Sequence, residues 1–333
     1  MNAWKKNKDR WIIGLALFSM FFGAGNVIFP PYLGMESASM WFPAFACYYL
    51  ADIGLAVMAI FAMLKCDSDI DGVTRRVGRI PSFILSCVIV LCVGPLLAVP
   101  RTAATTFEMS VAPLFPGVSP VICSVLFFSL IFCLCVRESS VVDIVGKFLT
   151  PALFIGLLIV IIRGIIAPLG GIAAEPRIPN VIIEGIYSGY QTMDVLGALV
   201  FGVIIFKTAG DKGYTELKER RQVIGAASII AGLGLLIVYG GLAYLGATSS
   251  TLYGGDVTRA ELVLNIVRGL MGNIGTVIFG VVVALACITT AIALVSSTGT
   301  YFSRITNNKL PYGGVVAVIC IFSAVVSNVG LDG

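Results

Sequence analysis

The sequence predicts an all-α polytopic membrane protein, its helices grouped in two inverted repeats that each contain one broken span. Three observations predict it. The 333 residues are 58% hydrophobic and 12% charged, with mean hydropathy +0.99, whereas a soluble domain carries about 25% charged residues. Apolar runs of about 20 residues, enough to cross a bilayer, recur along the whole chain. Two of these runs, about five spans apart, are interrupted by glycines and polar groups, the pattern of paired broken helices in inverted-repeat membrane folds.

The first run, Trp11 to Gly34, reads WIIGLALFSMFFGAGNVIFPPYLG. It is apolar enough to span but poorly suited to an unbroken helix. Gly23 and Gly25 each cost about 1 kcal/mol against Ala, and Pro30 and Pro31 about 3 kcal/mol each. Each proline also strips a hydrogen bond from the carbonyl four residues back, those of Asn26 and Val27. A freed polar group in hydrocarbon must be satisfied by protein, water or a ligand. The run therefore predicts two half-helices meeting at Gly23-Ala24-Gly25-Asn26, with Asn26 as an N-cap or an oxygen donor to a cation. Lys5, Lys6, Lys8 and Arg10 precede it, as in a secretory signal. The run is too long for a signal core and no A-x-A site follows, so it reads as a retained first span.

Further spans are predicted at about 41–64, 82–107, 119–136, 147–167, 185–206, 222–246, 272–298 and 312–328. Loop charge supports the count. With the N-terminus inside, 17 of the 22 Lys and Arg fall on the inner side, Arg137 and Lys147 among them. The outer side holds Arg101, Arg163, Arg177, Arg259 and Arg268. This is the positive-inside bias. The third span carries a Gly94-Pro95 kink. Outer residues 168–180 are rich in Pro and Gly, and Arg259 to Glu261 suggests a short surface helix.

The sixth span opens on Gly189-Tyr190-Gln191-Thr192-Met193-Asp194-Val195-Leu196-Gly197. Its glycines flank polar groups at membrane depth, which makes it the second break. A single domain over 1–333 is expected, with a first repeat at about 11–167 and a second at about 185–333. Five helices starting at the sixth span require ten in all, and the chain stops after the ninth at Val329 to Gly333. The expected reading is an incomplete second repeat.

Asp194 is the main candidate for chemistry. An intramembrane carboxylate usually faces a cavity or a cation. It either neutralises an ammonium group or a coupling cation, or caps the inner half-helix. The segment Gly23, Ala24, Gly25, Asn26 offers half-helix amides suited to a carboxylate. Thr289 and Thr290 lie mid-span; their hydroxyls either bind a hard cation or bond their own i−4 carbonyls. Tyr190 stacks on a substrate or is an interface aromatic. Arg101 gates an outer vestibule or, more simply, snorkels to the interface. The nine cysteines lie in or beside apolar runs without a C-x-x-C pair, and there is no histidine. That composition excludes Cys/His metal sites and histidine-based catalytic dyads, and no phosphate-binding motif is present. The chain reads as no enzyme and no nucleic-acid binder, with no cofactor.

The stretches GLALFSMFFGAGNVIFPPYLG, GPLLAVPRTAATTFEMSV, SGYQTMDVLGALVFG and ACITTAIALVSSTGTYFS closely resemble, in the same order, the branched-chain amino acid:cation symporter family of the BrnQ type. The resemblance implies a LeuT-like fold with discontinuous helices 1 and 6, and about nine spans present of an expected twelve. It implies uptake of leucine, isoleucine and valine across the cytoplasmic membrane, coupled to Na⁺ or else H⁺, by a multi-pass protein in contact with membrane lipids. The substrate carboxylate is then expected at Gly23 to Asn26, with Asn26 and Thr192 beside one cation position. Thr289 and Thr290, with the carbonyls of Phe22 and Ala286, resemble a second. The substrate side chain is expected against Met193, Tyr190 and residues of the third span, near Asp194. Alternatives are a LeuT-fold carrier of another small zwitterion or a nucleobase, or a channel-like or non-transporting membrane component.

Overall fold

A computed structural model describes residues 3–66, 70–136 and 149–328. Arg137, Lys147 and the terminal Val329 to Gly333 lie outside the described residues. Helices occupy each predicted span, and the described residues contain no strand. Helical stretches long and apolar enough to cross a membrane, some of them interrupted, are Ala24–Lys65, Arg79–Val111, Val181–Asp211, Leu217–Ala247 and Arg259–Ile305. Three shorter apolar helices accompany them.

The first run is broken, but over a shorter interval than expected. Helix α1 (Ala3–Phe21) ends and α2 (Ala24–Ser37) begins across Phe22 and Gly23 alone. Gly23 is extended, with φ −108° and ψ −168°. Ala24, Gly25 and Asn26 already form the first turn of α2, and Pro30 and Pro31 lie inside that helix. Asn26 is therefore not an N-cap. Gly23 occupies that position with no side-chain cap, while the Asn26 amide turns back toward α1.

After a turn at Ala38 the second span runs through α3 (Trp41–Tyr49), a π-helical turn Leu50–Gly54 and α4 (Leu55–Lys65). A short α5 (Ile70–Thr74) follows. The third span is α6 (Arg79–Leu91), a kinked turn Cys92–Leu96 and α7 (Ala98–Thr106). Its kink sits at the expected Gly94-Pro95, where Gly94 has ψ −118°. Then come α8 (Pro120–Cys135) and α9 (Thr150–Ile166).

The second break separates α10 (Val181–Gln191) from α11 (Asp194–Asp211). Met193 between them is left-handed, with φ 64°, an uncommon state for a residue with a Cβ. Helix α12 (Leu217–Ala247) is unbroken. Helix α13 (Arg259–Ile305) starts with a Thr258–Glu261 capping box and bends at Gly272, giving an outer segment 259–271 and a span 273–305. Helix α14 (Tyr312–Val326) ends the described chain.

Both halves of the first broken span pack along α12, and α2 also meets α3 and α13. Helix α10 packs on α3 and on the π turn, α11 on α4, and α7 on α13. The two breaks are thereby brought to the centre of the bundle. Large apolar side chains such as Ile84, Leu126, Ile162, Leu233, Ile237 and Val318 point outward, while Asn26, Asp52 and Thr289 are buried. That distribution suits a lipid-facing exterior around a polar centre.

The α2–α12 crossing depends on two glycines. A Cβ on Gly246 would overlap the Pro31 carbonyl, and one on Gly34 would overlap the Ala243 carbonyl. Small residues permit such backbone contact between membrane helices. Gly246→Ala is expected to cost about 1–3 kcal/mol by overpacking and to lower the thermal midpoint of the detergent-purified protein. Gly254→Ala, with nothing within 4 Å of its Cβ position, is the control. Equal midpoints for the two variants would refute the close crossing.

Candidate functional site

The two breaks face one cavity. Its wall comprises Met20 and Gly23 to Asn26 from the first broken span, Val93, Ala98, Arg101 and Thr102 from the third, Thr192, Met193, Asp194, Gly197 and Phe201 from the second break, and Thr290 and Leu294 from α13. The cavity they enclose is small, about 40 Å³.

A polar chain ties the breaks together. Asn26, 1% exposed, has its Nδ2 within reach of the Phe21 carbonyl (2.5 Å), Asp194 Oδ2 (2.6 Å) and Tyr239 Oη (2.6 Å). An amide nitrogen carries two hydrogens, so two of these acceptors are served at a time. Asp194 is the first residue of α11, and its carboxylate accepts from Asn26 across the cavity. It meets Asn26 of the other break and the Asp52 carboxyl of the second span, not the amides of its own helix as a cap would require. Thr192 Oγ1 donates to the Gly189 carbonyl (2.7 Å) or to Asp52 Oδ1 (2.8 Å).

Asp52 went unnoticed in the sequence. It is fully buried on the π turn, where its carboxyl neighbours Asp194 and Tyr48. The signal was available: Leu50-Ala51-Asp52-Ile53-Gly54 places an acid in mid-span, and the rule that singles out Asp194 applies equally. Tyr48, one turn earlier, is also buried and meets the Tyr239 ring edge-on at 5.9 Å.

The second cluster joins α13 to the end of α1. Thr289 Oγ1 lies 3.1 Å from the Ser19 carbonyl and 2.9 Å from that of Ala286. Thr290 Oγ1 lies 3.3, 3.1 and 3.4 Å from the carbonyls of Ser19, Met20 and Phe22. The Ala286 carbonyl is on Thr289's own helix, one turn back, whereas those of Ser19, Met20 and Phe22 belong to the end of the first half-span. The break explains the open carbonyls: the Gly23 N–H turns to Phe21 rather than Ser19. Unpaired carbonyls at a helix C-terminus carry partial negative charge, and all the groups are hard oxygens. A Cβ on Gly23 would lie 3.1 Å from Thr290 Oγ1, so the cluster abuts the cavity wall.

Two expectations are corrected. Tyr190 is 63% exposed and does not line the cavity. Gly185 and Gly189 pack against backbone of the second span, which sets the rotation of α10 and turns position 190 away. Arg101 does not snorkel. Its guanidinium lies against Gly25 and over the Phe29 ring, 5.5 Å from the centroid. Arg259 stacks on the same ring at 4.7 Å and on Tyr32 at 5.4 Å, so two guanidiniums share one phenyl group beside the cavity.

The sequence profile of a family described as branched-chain amino acid transport protein matches residues 6–333. The chain belongs to that family. Among curated relatives of this family member, the branched-chain amino acid permease BraB of Bacillus subtilis is 37% identical over 97% of this chain and 74% of its own length. A branched-chain amino acid transport system 2 carrier protein of Pseudomonas aeruginosa is 36% identical over 98% and 75%. The permease BrnQ of Salmonella typhimurium is 32% identical, again over 98% and 75%. These are transport proteins, and the chain is a multi-pass membrane transporter, not an enzyme. Among solved structures, a Na⁺-coupled sialic acid symporter in a substrate-bound outward-open state aligns with TM-score 0.62 at 12% identity, covering 96% of this chain and 74% of that one. MhsT in complex with L-phenylalanine aligns with TM-score 0.55 at 18% identity, over 95% and 78%. These likenesses establish the fold, which is LeuT-like.

Proposed function

We propose that this transporter carries leucine, isoleucine and valine into the cell by secondary active symport with Na⁺, in the cytoplasmic membrane with its N-terminus inside. The observation that carries the reading is the Thr289–Thr290 cluster on the open carbonyls of α1, adjoining a cavity that contains Asp194. A monovalent cation among those oxygens ties α1 to α13 and orders the end of the broken span. The ordered break then presents the amides of α2, and Asp194 receives the substrate ammonium. Binding of either partner lowers the cost of ordering for the other, the thermodynamic condition for coupling. Movement of the two broken spans against α13 and its neighbours exposes the cavity to alternate sides. The reading treats the chain as one transport domain, with repeats at about 11–167 and 185–333. The positive charge on the inner loops supports the orientation, and the names of the relatives support the substrate class.

Counterflow in proteoliposomes tests the proposal. Vesicles loaded with leucine should accumulate labelled leucine saturably. Isoleucine and valine should compete; uracil and glycine should not. An inward Na⁺ gradient should drive net uptake when K⁺ or choline does not. Uptake driven equally by a proton gradient in Na⁺-free buffer would replace Na⁺ by H⁺, and non-saturating flux would point to a channel.

A further inference from the structure

The transport reading leaves one charge in the cavity without a task. Arg101 reaches in from α7, and a Cβ on Gly25 would collide with its Nη2. Among the described residues its guanidinium has no hydrogen bond and no carboxylate within 4.0 Å; its companion is the Phe29 face. A guanidinium does not lose its proton in a protein, and a charge removed from water is costly unless paired. Asp194 lines the same cavity but is held by Asn26. The cavity thus presents one acid and one base that attract each other without direct contact, the charge pattern that complements a zwitterion.

The backbone beside Arg101 has the same preference. Ala24 and Gly25 open α2, and first-turn N–H groups lack helical acceptors. The absent side chain at Gly25 lets the guanidinium lie directly against that turn. A planar two-pronged donor next to amides at a helix start suits a carboxylate better than a point charge does.

We propose that Arg101 binds the α-carboxylate of the transported amino acid and makes a free carboxylate a condition of recognition. Asp194 takes the ammonium at the other charged end, and the side chain is left to the apolar wall of Val93, Phe201 and Leu294. The inference rests on the reading of this cavity as the amino acid site.

Equilibrium binding of labelled leucine to the purified full chain tests it. Competition by unlabelled leucine is compared with competition by leucinol, which keeps the ammonium and side chain but replaces the carboxylate with an alcohol. Wild type should prefer leucine by roughly 100-fold. Arg101→Gln should weaken leucine by roughly tenfold or more while leaving leucinol within about twofold. Arg101→Lys, keeping the charge without the fork, should fall between. Equal weakening of both ligands in Arg101→Gln would make the residue a lid or a structural support, and unchanged leucine affinity would remove it from the site; either result overturns the inference. If Arg101→Gln does not fold, Gly25→Ala displaces the guanidinium without deleting it and should show the same selective loss, with equal loss again overturning the inference. Failure of wild type to bind leucine would instead sink the substrate reading, and the role of Arg101 with it.

Discussion

Replacing Thr289 and Thr290 together with valine is expected to abolish Na⁺ dependence. Valine keeps the branched shape, so packing against α1 is largely preserved while both hydroxyls are lost. Those hydroxyls face the carbonyls of Ser19, Met20, Phe22 and Ala286 at 2.9–3.4 Å. An interaction with a charged group contributes about 1.5–3 kcal/mol. Losing two should raise the Na⁺ concentration for half-activation by roughly 100-fold to 10,000-fold. The substitution also removes donors from carbonyls that the broken helix cannot satisfy, so part of the loss is structural. Two readings in the same proteoliposomes separate these contributions. Leucine exchange without Na⁺ should persist at a low level, and the thermal midpoint should fall only modestly. A Na⁺ activation curve identical to wild type would falsify the cluster as the coupling site.

Asp194→Asn is expected to weaken leucine transport strongly as a single substitution. The amide has the size of the carboxylate, and its oxygen still accepts from Asn26, which holds Asp194 Oδ2 at 2.6 Å. The link between the breaks is kept and only the charge is lost. Removing one member of a buried charge pair costs about 2–5 kcal/mol. Leucine half-saturation should therefore rise by roughly 30-fold or more, with membrane expression near wild type. Wild-type kinetics would reduce Asp194 to a structural link. The neighbouring Asp52, which accepts from Thr192 at 2.8 Å, explains why position 194 must be read with its surroundings: the second break is held by an acid on another span.

Much of the site was visible in the chain. Gly23 marked the first break, Gly189 to Gly197 the second, and Gly94-Pro95 the kink that delivers α7 to the cavity. Asp194, Thr289 and Thr290 stood out because polar groups at membrane depth need partners. Asp52 obeyed the same logic but was masked by the apolar run around it. The cap reading of Asn26 and the interface reading of Arg101 failed for another reason. An asparagine after a helix break is a good cap, and an arginine near a helix end is a good snorkel, so each had a sound local use that the assembled bundle overrode.

By itself the sequence determined the helices, their partition into the membrane and the positions where they break, because those follow from apolar length, charge placement and the local costs of glycine and proline. It could not determine which way each helix is rotated. Only the tertiary structure decided that Tyr190 faces outward, that Arg101 turns into the cavity, and that Asn26 reaches Asp194 as well as the Phe21 carbonyl. Rotation is set by contacts such as Gly189 against Tyr48 and Gly246 against Pro31, between residues far apart in the chain. No local period or propensity contains that information.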